Sequence, residues 1–354
     1  MPTPAAPPGD LRSVASASPP CLRTPIAFAL TGAERQLFFA GLGDTELPPQ
    51  SQWLIEDDLA PAKWEQTLRK LAPVVLVTGW RTPPLPAAWL DDPACPLRYI
   101  CHVTGSVRSF MPRSFLARGG LVTNWGTLAS PQVAEHALLL ALAALRNQGR
   151  WRDFLARPTT ERHLAQLGTR TLHGRRVGVH GFGGVARALL PLLRPFHVEV
   201  RVHAAVPRAL IAAARAEACD SLEELFAHSE ILFECEALTP ATTGLITAGV
   251  LARLPDGAVF VNVGRGGTVD ETALLREAAT GRIRLALDVA HDEPITAVSA
   301  VTQIPDAIIS PHIGGPTLDR YADCGAQALR NLSRFLAGEP LEGVITAEVF
   351  DRST

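Results

Sequence analysis

RVGVHGFGGVARALL, residues 176–190, is the stretch on which the fold turns. A β-branched run leads into Gly181-Phe182-Gly183-Gly184-Val185-Ala186, which fits G-x-G-x-x-G/A, and an apolar helical pattern follows. The first glycine permits a tight turn, and the second lets backbone approach a pyrophosphate. The small third residue lets helix and strand pack closely. Unpaired N–H groups and the positive dipole end of the helix then face the phosphates. The pattern predicts a dinucleotide site built on Gly181, Gly183, Gly184 and Val185.

Outward from this loop, short strand-like runs alternate with helical ones. HVEVRVH (197–203), EILFE (230–234), AVFVNV (258–263), RLALDV (284–289) and AIIS (307–310) read as strands, and SLEELFAH, TAGVLARL and DETALLREAAT as the helices between them. Upstream, IAFAL (26–30), VVLVT (74–78) and RYICHV (98–103) form a second series, with a helix over 61–72 that places Trp64, Leu68 and Leu71 on one face. Such alternation predicts parallel sheets covered by helices. Ser130 and Pro131 read as the N-cap and first residue of a long helix, QVAEHALLLALAALRN, apolar on most faces and so expected to be buried between domains. A last helix ends at Gly338, with Pro340 beyond it.

Composition narrows the function classes. A chain of 354 residues favours two domains. A net charge of -2 gives no electrostatic reason to expect nucleic acid or an anionic membrane as partner. The longest apolar run, 136–145, is far short of the roughly 20 residues a membrane span needs. The proline-rich start lacks an apolar signal core and reads as a disordered extension over 1–24. Six cysteines without C-x-x-C or regular spacing read as free thiols of a cytoplasmic protein, and no metal site is expected.

Three segments carry chemistry: NVGRGGTVDETAL (262–274), LALDVAHDEP (285–294) and SPHIGG (310–315). Each puts a polar group just past a predicted parallel strand, where ligands of open α/β sheets bind. Arg265, Glu293 and His312 should therefore converge on one crevice. Arg265 can bind a carboxylate through two N–H groups and polarise a neighbouring keto oxygen. His312 can protonate that oxygen as a hydride arrives. Glu293 can hold the far ring nitrogen of His312 and raise its pKa. Singly each is an ordinary polar residue; three together downstream of a phosphate loop predict reduction of a 2-oxo acid.

These segments, with VTNWGTLASPQVAEHALLLALAALRN, LHGRRVGVHGFGGVA and LTPATTGLI, resemble the D-isomer-specific 2-hydroxyacid dehydrogenases over residues 98–345. The resemblance implies an α/β fold of two similar doubly wound parallel-sheet domains. It also implies a Rossmann cofactor domain (124–314) inserted into a flavodoxin-like substrate domain (25–123 and 315–354), usually in a homodimer built on the cofactor domain. It implies catalytic Arg265, Glu293 and His312, with Val263, Gly264 and Asp288 on the cofactor side, Asp288 near the nicotinamide carboxamide. Gly105, Ser106 and Val107 are implied to hold the substrate carboxylate through backbone N–H groups. The implied partner is a small 2-hydroxy or 2-oxo acid.

The sequence departs from that pattern in places. Ala204 stands where an acid normally binds the adenosine ribose, Cys235-Glu236-Ala237 alters the adenine side, and Arg108-Ser109 replaces a Val-Asp pair. NAD is the expected cofactor, with NADP admitted through Ala204. The alternative on the same scaffold is a dinucleotide-sensing, co-repressor-like binding protein, and turnover distinguishes the two.

Overall fold

The computed structural model describes residues 24–43 and 46–352. The extension expected over 1–24 therefore lies outside the described residues, apart from Thr24, which is buried. Two parallel sheets organise the chain. The first contains β1 (Ile26–Ala29), β2 (Ser51–Trp53), β3 (Val75–Thr78), β4 (Tyr99–His102) and β5 (Leu121–Thr123), in the order β2-β1-β3-β4-β5. The second contains β6 (Arg176–His180), β7 (Glu199–His203), β8 (Glu217–Ala218), β9 (Ile231–Glu234), β10 (Val259–Asn262), β11 (Arg284–Leu287) and β12 (Ile308–Ile309). Its order is β12-β11-β10-β9-β6-β7-β8.

Helices cover both faces of each sheet, so the inner strands are buried on both sides. β3, β4, β9 and β10 are buried at every position, which is why they read as continuous apolar runs. The first order is that of flavodoxin-like sheets. The second is the dinucleotide-binding order 3-2-1-4-5-6 carrying one further strand. In the second sheet the strand order reverses between β6 and β9, which pair in register from Val177↔Ile231 to His180↔Glu234. A ligand crevice is expected outside their carboxyl ends.

Beyond the second sheet the chain returns to the first. Helix Tyr321–Ala337 buries Cys324, Ala328 and Leu332 with Ile26, Phe28, Val75 and Val77. Ile345 N–H then donates to the Val122 carbonyl at 2.8 Å. Gly338 ends that helix in the left-handed conformation, at φ 71°, as its position predicts.

Two expectations about the long helix need correction. Its N-cap is Ala129, with no side-chain capping bond, and Ser130 is already its first helical residue. The Ser130 hydroxyl instead faces the glycine loop, where a Cβ on Gly184 would collide with it. Nor is the helix buried all round. Ala134, Ala137, Ala141 and Leu145 pack into the core of the second sheet, while Leu139 on the opposite side is 57% exposed. Three short strands escaped the sequence reading: β2, β5 and β8 have two or three residues each, too few for a period to show.

Candidate active site

The glycine loop has the geometry that its motif predicts. Gly181 adopts φ 92°, and a Cβ there would lie 2.9 Å from the backbone of Glu236, which follows the neighbouring strand β9. Only glycine satisfies both constraints. Gly183 N-caps helix Gly184–Leu193 without a side-chain bond, and a Cβ on it would meet nothing within 4 Å. Space beside the free helix N-terminus is what a pyrophosphate needs, so these residues fit a dinucleotide. Val185 occupies the first turn of that helix, and Ala186 is fully buried against the sheet.

Across the crevice, Val263 follows β10 and is buried, and its N–H donates to the Glu234 carbonyl. Gly264 N–H bonds Asn262 Oδ1 at 3.0 Å, and a Cβ on Gly264 would strike the Glu236 carbonyl. Arg265 comes next in extended backbone at the start of a single 3-10 turn, Gly266–Thr268. Its own carbonyl accepts from Asn262 Nδ2 at 3.2 Å and Thr268 Oγ1 at 2.9 Å, which fixes the turn from both sides. Burial pushes the Arg265 pKa down, and the charge of Glu293 opposes that shift.

The other two expected residues meet directly. His312 Nδ1 and Glu293 Oε2 are 2.6 Å apart, both partly exposed. The hydrogen bond that His312 donates to Glu293 raises the His312 pKa above the ordinary histidine value, opposed by burial and by the charge of Arg265. Glu293 is pushed up by burial but held below its usual range by His312, by the Ala290 N–H and by Arg265. Arg265, Glu293 and His312 therefore feel one another's charges, at the carboxyl ends of neighbouring strands β10, β11 and β12.

Asp288, at the end of β11, clamps the segment that carries His312. Its carbonyl accepts from His312 N–H at 2.9 Å. Its carboxylate accepts from Ser310 Oγ at 2.7 Å, Ile313 N–H at 2.9 Å and Gly314 N–H at 2.8 Å. His136 Nε2, from the long helix, lies 3.3 Å away. Burial pushes this carboxyl up, and those donors together bring it down to about 2.

In the first sheet, Gly105, Ser106 and Val107 follow β4. Gly105 lies under the Trp125 ring, where a Cβ would be 2.8 Å from Cζ2, and its carbonyl accepts from Asn124 Nδ2 at 2.5 Å. Ser106 is half-buried, while the Val107 side chain belongs to the core, which leaves it only its backbone to offer. Residues 124–130 link this loop to the glycine loop, since Thr127 and Ser130 border Gly184.

Sequence reasoning missed a second His–Glu pair. His180 and Glu234 end the adjacent strands β6 and β9 and are both almost wholly buried, with Nδ1 2.6 Å from Oε2. Glu234 Oε1 accepts from Glu236 N–H at 3.1 Å and from Thr268 Oγ1 at 3.4 Å, joining the crevice floor to the Arg265 turn. The His203 ring, at the end of β7, stacks on His180 with centroids 5.9 Å apart. The available signal was polar residues terminating two apolar strands. Among the described residues no cluster of three or more His, Cys, Asp or Glu could hold a metal ion.

Comparison with known proteins places this chain in a family. A family model described as D-isomer specific 2-hydroxyacid dehydrogenase, NAD binding domain, matches residues 138–314. The chain belongs to that family. It is 30% identical over 247 residues to glyoxylate/hydroxypyruvate reductase B of Pectobacterium carotovorum, covering 66% of this chain and 73% of that protein. It is 34% identical over 224 residues to D-3-phosphoglycerate dehydrogenase of Mycobacterium bovis, covering 63% of this chain and only 42% of the relative's length. Among solved structures, apo D-mandelate dehydrogenase of Rhodotorula graminis superimposes with a TM-score of 0.80 at 20% identity, over 94% of this chain and all of that one. That likeness concerns the fold.

Proposed function

We propose that this chain is an NAD(P)-dependent dehydrogenase interconverting a small 2-oxo acid and the D-2-hydroxy acid. The observation that carries the reading is the 2.6 Å His312–Glu293 pair facing the charge of Arg265, beside a glycine loop open to a pyrophosphate. Bound nicotinamide supplies or accepts the hydride. Arg265 binds the substrate carboxylate as a planar fork, aided by the N–H groups of Gly105, Ser106 and Val107, and polarises the keto oxygen. His312, charged through Glu293, gives its Nε2 proton to that oxygen and recovers it in the reverse direction. Asp288 holds the His312 segment in place, and its carboxylate lies on the cofactor side of the cleft.

On this reading the cofactor unit runs over 124–314 and the substrate unit over 25–123 and 315–354, with catalysis in the cleft between them. Support comes from chain crossings near 124–130 and 310–320 that join the two sheets' carboxyl edges. The protein works as a cytoplasmic homodimer. Free cysteines support the first of these, and exposed Leu139, Trp151, Leu155 and Leu164, within one stretch of the cofactor unit, support the second.

The test is oxidation of NADH and NADPH by purified protein against glyoxylate, hydroxypyruvate, pyruvate and phenylpyruvate, in wild type and Arg265→Lys. Lysine keeps the charge and loses the fork, so kcat/KM should fall by on the order of 2–4 kcal/mol in transition-state stabilisation. Near wild-type kcat/KM in the variant would remove Arg265 from the site. Binding of dinucleotide with no turnover of any acid would favour a sensing protein instead.

A further inference from the structure

We propose that the cleft is built for a 2-oxo acid with an aromatic side chain, whose ring docks on Trp80 and Trp125. This rests on the reduction of 2-oxo acids proposed above and goes on to name the substrate class.

Trp80 lies two residues past β3, at the carboxyl edge of the first sheet and beside the strand that leads into Gly105. Its indole is wedged among three other rings. Phe38 lies 5.3 Å away, Tyr321 5.7 Å away at 87°, and Trp125 6.2 Å away at 78°. Yet Trp80 remains 49% exposed, whereas Phe38 beneath it is almost fully buried. A large apolar ring held rigidly on one side and open on the other is a preformed binding surface, paid for in exposed apolar area.

Position decides what it binds. Trp125 covers Gly105, in the loop proposed to hold the substrate carboxylate, and meets the Trp80 ring in a T-shaped contact. Tyr321, which also packs against Trp80 and Phe38, opens the helix that follows the His312 segment. The aromatic surface thus starts beside the carboxylate loop and runs away from it, as the side chain of a 2-oxo acid does. Edge-to-face ring contacts favour an aryl group over an alkyl group of equal area by roughly two- to tenfold. Arg81 follows Trp80 and is exposed, its N–H tied to Glu34 Oε1, so an anionic side chain is the rival outcome.

The experiment compares kcat/KM for phenylpyruvate, 4-methyl-2-oxopentanoate, pyruvate and phosphohydroxypyruvate in wild type, Trp80→Ala and Trp80→Phe, with thermal melting to confirm folding. Wild type should favour phenylpyruvate over pyruvate by at least tenfold, and over the branched acid as well. Trp80→Ala should collapse the phenylpyruvate-to-pyruvate ratio at least tenfold, and Trp80→Phe should keep most of it. If Trp80→Ala does not fold, Trp80→Leu against Trp80→Phe reads the same ratio. Turnover without an aromatic preference, preference for the phosphorylated acid, or a ratio unmoved by Trp80 would overturn this inference alone. No turnover with any acid would overturn the proposed function, and this inference with it.

Discussion

At the residue scale, the imidazole of His312 owes its basicity mainly to one contact, with Glu293. The Glu293 hydrogen bond raises its pKa, while burial and the Arg265 charge pull the other way. In the proposed reduction the ring must be protonated, so the rate should be full at low pH and fall as pH rises through the raised His312 value. Glu293→Gln keeps the shape and removes the charge, so its fall should come at lower pH. The pH dependence of kcat/KM in the reducing direction checks this, and an unshifted profile in the variant would leave Glu293 a purely structural role. Gly181, Gly183, Arg265, Glu293 and His312 were legible one by one in the sequence, because each follows a strand and carries distinctive chemistry. Their distances were not legible, because they come from strands 20 or more residues apart.

At the element scale, the crevice depends on what ends each strand. β6 and β9 end in His180 and Glu234, a pair of charges placed directly after the buried runs Val177–Val179 and Ile231–Phe233. Burial pushes the His180 pKa down, but the charge and hydrogen bond of Glu234 outweigh it and hold the ring above the ordinary histidine value. A raised folded pKa contributes stability that is complete below the unfolded value of about 6.5 and is lost as pH rises through the folded one. Glu234→Ala should therefore cost about 3 kcal/mol near pH 6, as expected for an orphaned buried partner, and less near pH 9. Urea unfolding at both pH values checks it, and a gap independent of pH would show that His180 is neutral throughout.

β7 ends at His203, followed by Ala204. Glu199, at the other end of that strand, cannot reach the ribose, and Arg208 is engaged by Asp220 and by the Ala218 carbonyl. Without a carboxylate at residue 204, NADPH is not repelled, and NADH and NADPH should differ by no more than about tenfold in kcat/KM, roughly 1.4 kcal/mol. Ala204→Asp should shift that ratio at least tenfold toward NADH. A strong NADH preference in wild type that the aspartate leaves unmoved would point to Glu236, at the crevice wall beside Gly181.

At the scale of the whole molecule, the cofactor unit shows an apolar flank to solvent. Leu139, Trp151 and Leu155 are each at least 45% exposed, on the long helix and the short helix after it. Burying that flank in a homodimer would remove the area from water at about 25 cal/mol per Å². Leu139→Glu should then weaken the dimer, seen as a lower mass in sedimentation at micromolar concentration. A wild-type protein that is monomeric at high concentration would place the flank outside any self-association.

The sequence by itself determined the alternation of strands and helices, the glycine loop, the three polar strand ends and the stop at Gly338. Each is local: a period, a turn residue or a strand end is set by neighbours in the chain. Only the tertiary structure decided that His180 pairs with Glu234, that Ser130 faces Gly184 rather than capping its helix, and that Trp80 leans on Phe38, Trp125 and Tyr321 with half its surface open. Those contacts join residues 42 to 241 positions apart. What brings such residues together is the packing of whole strands and helices around a shared core, which no local pattern records.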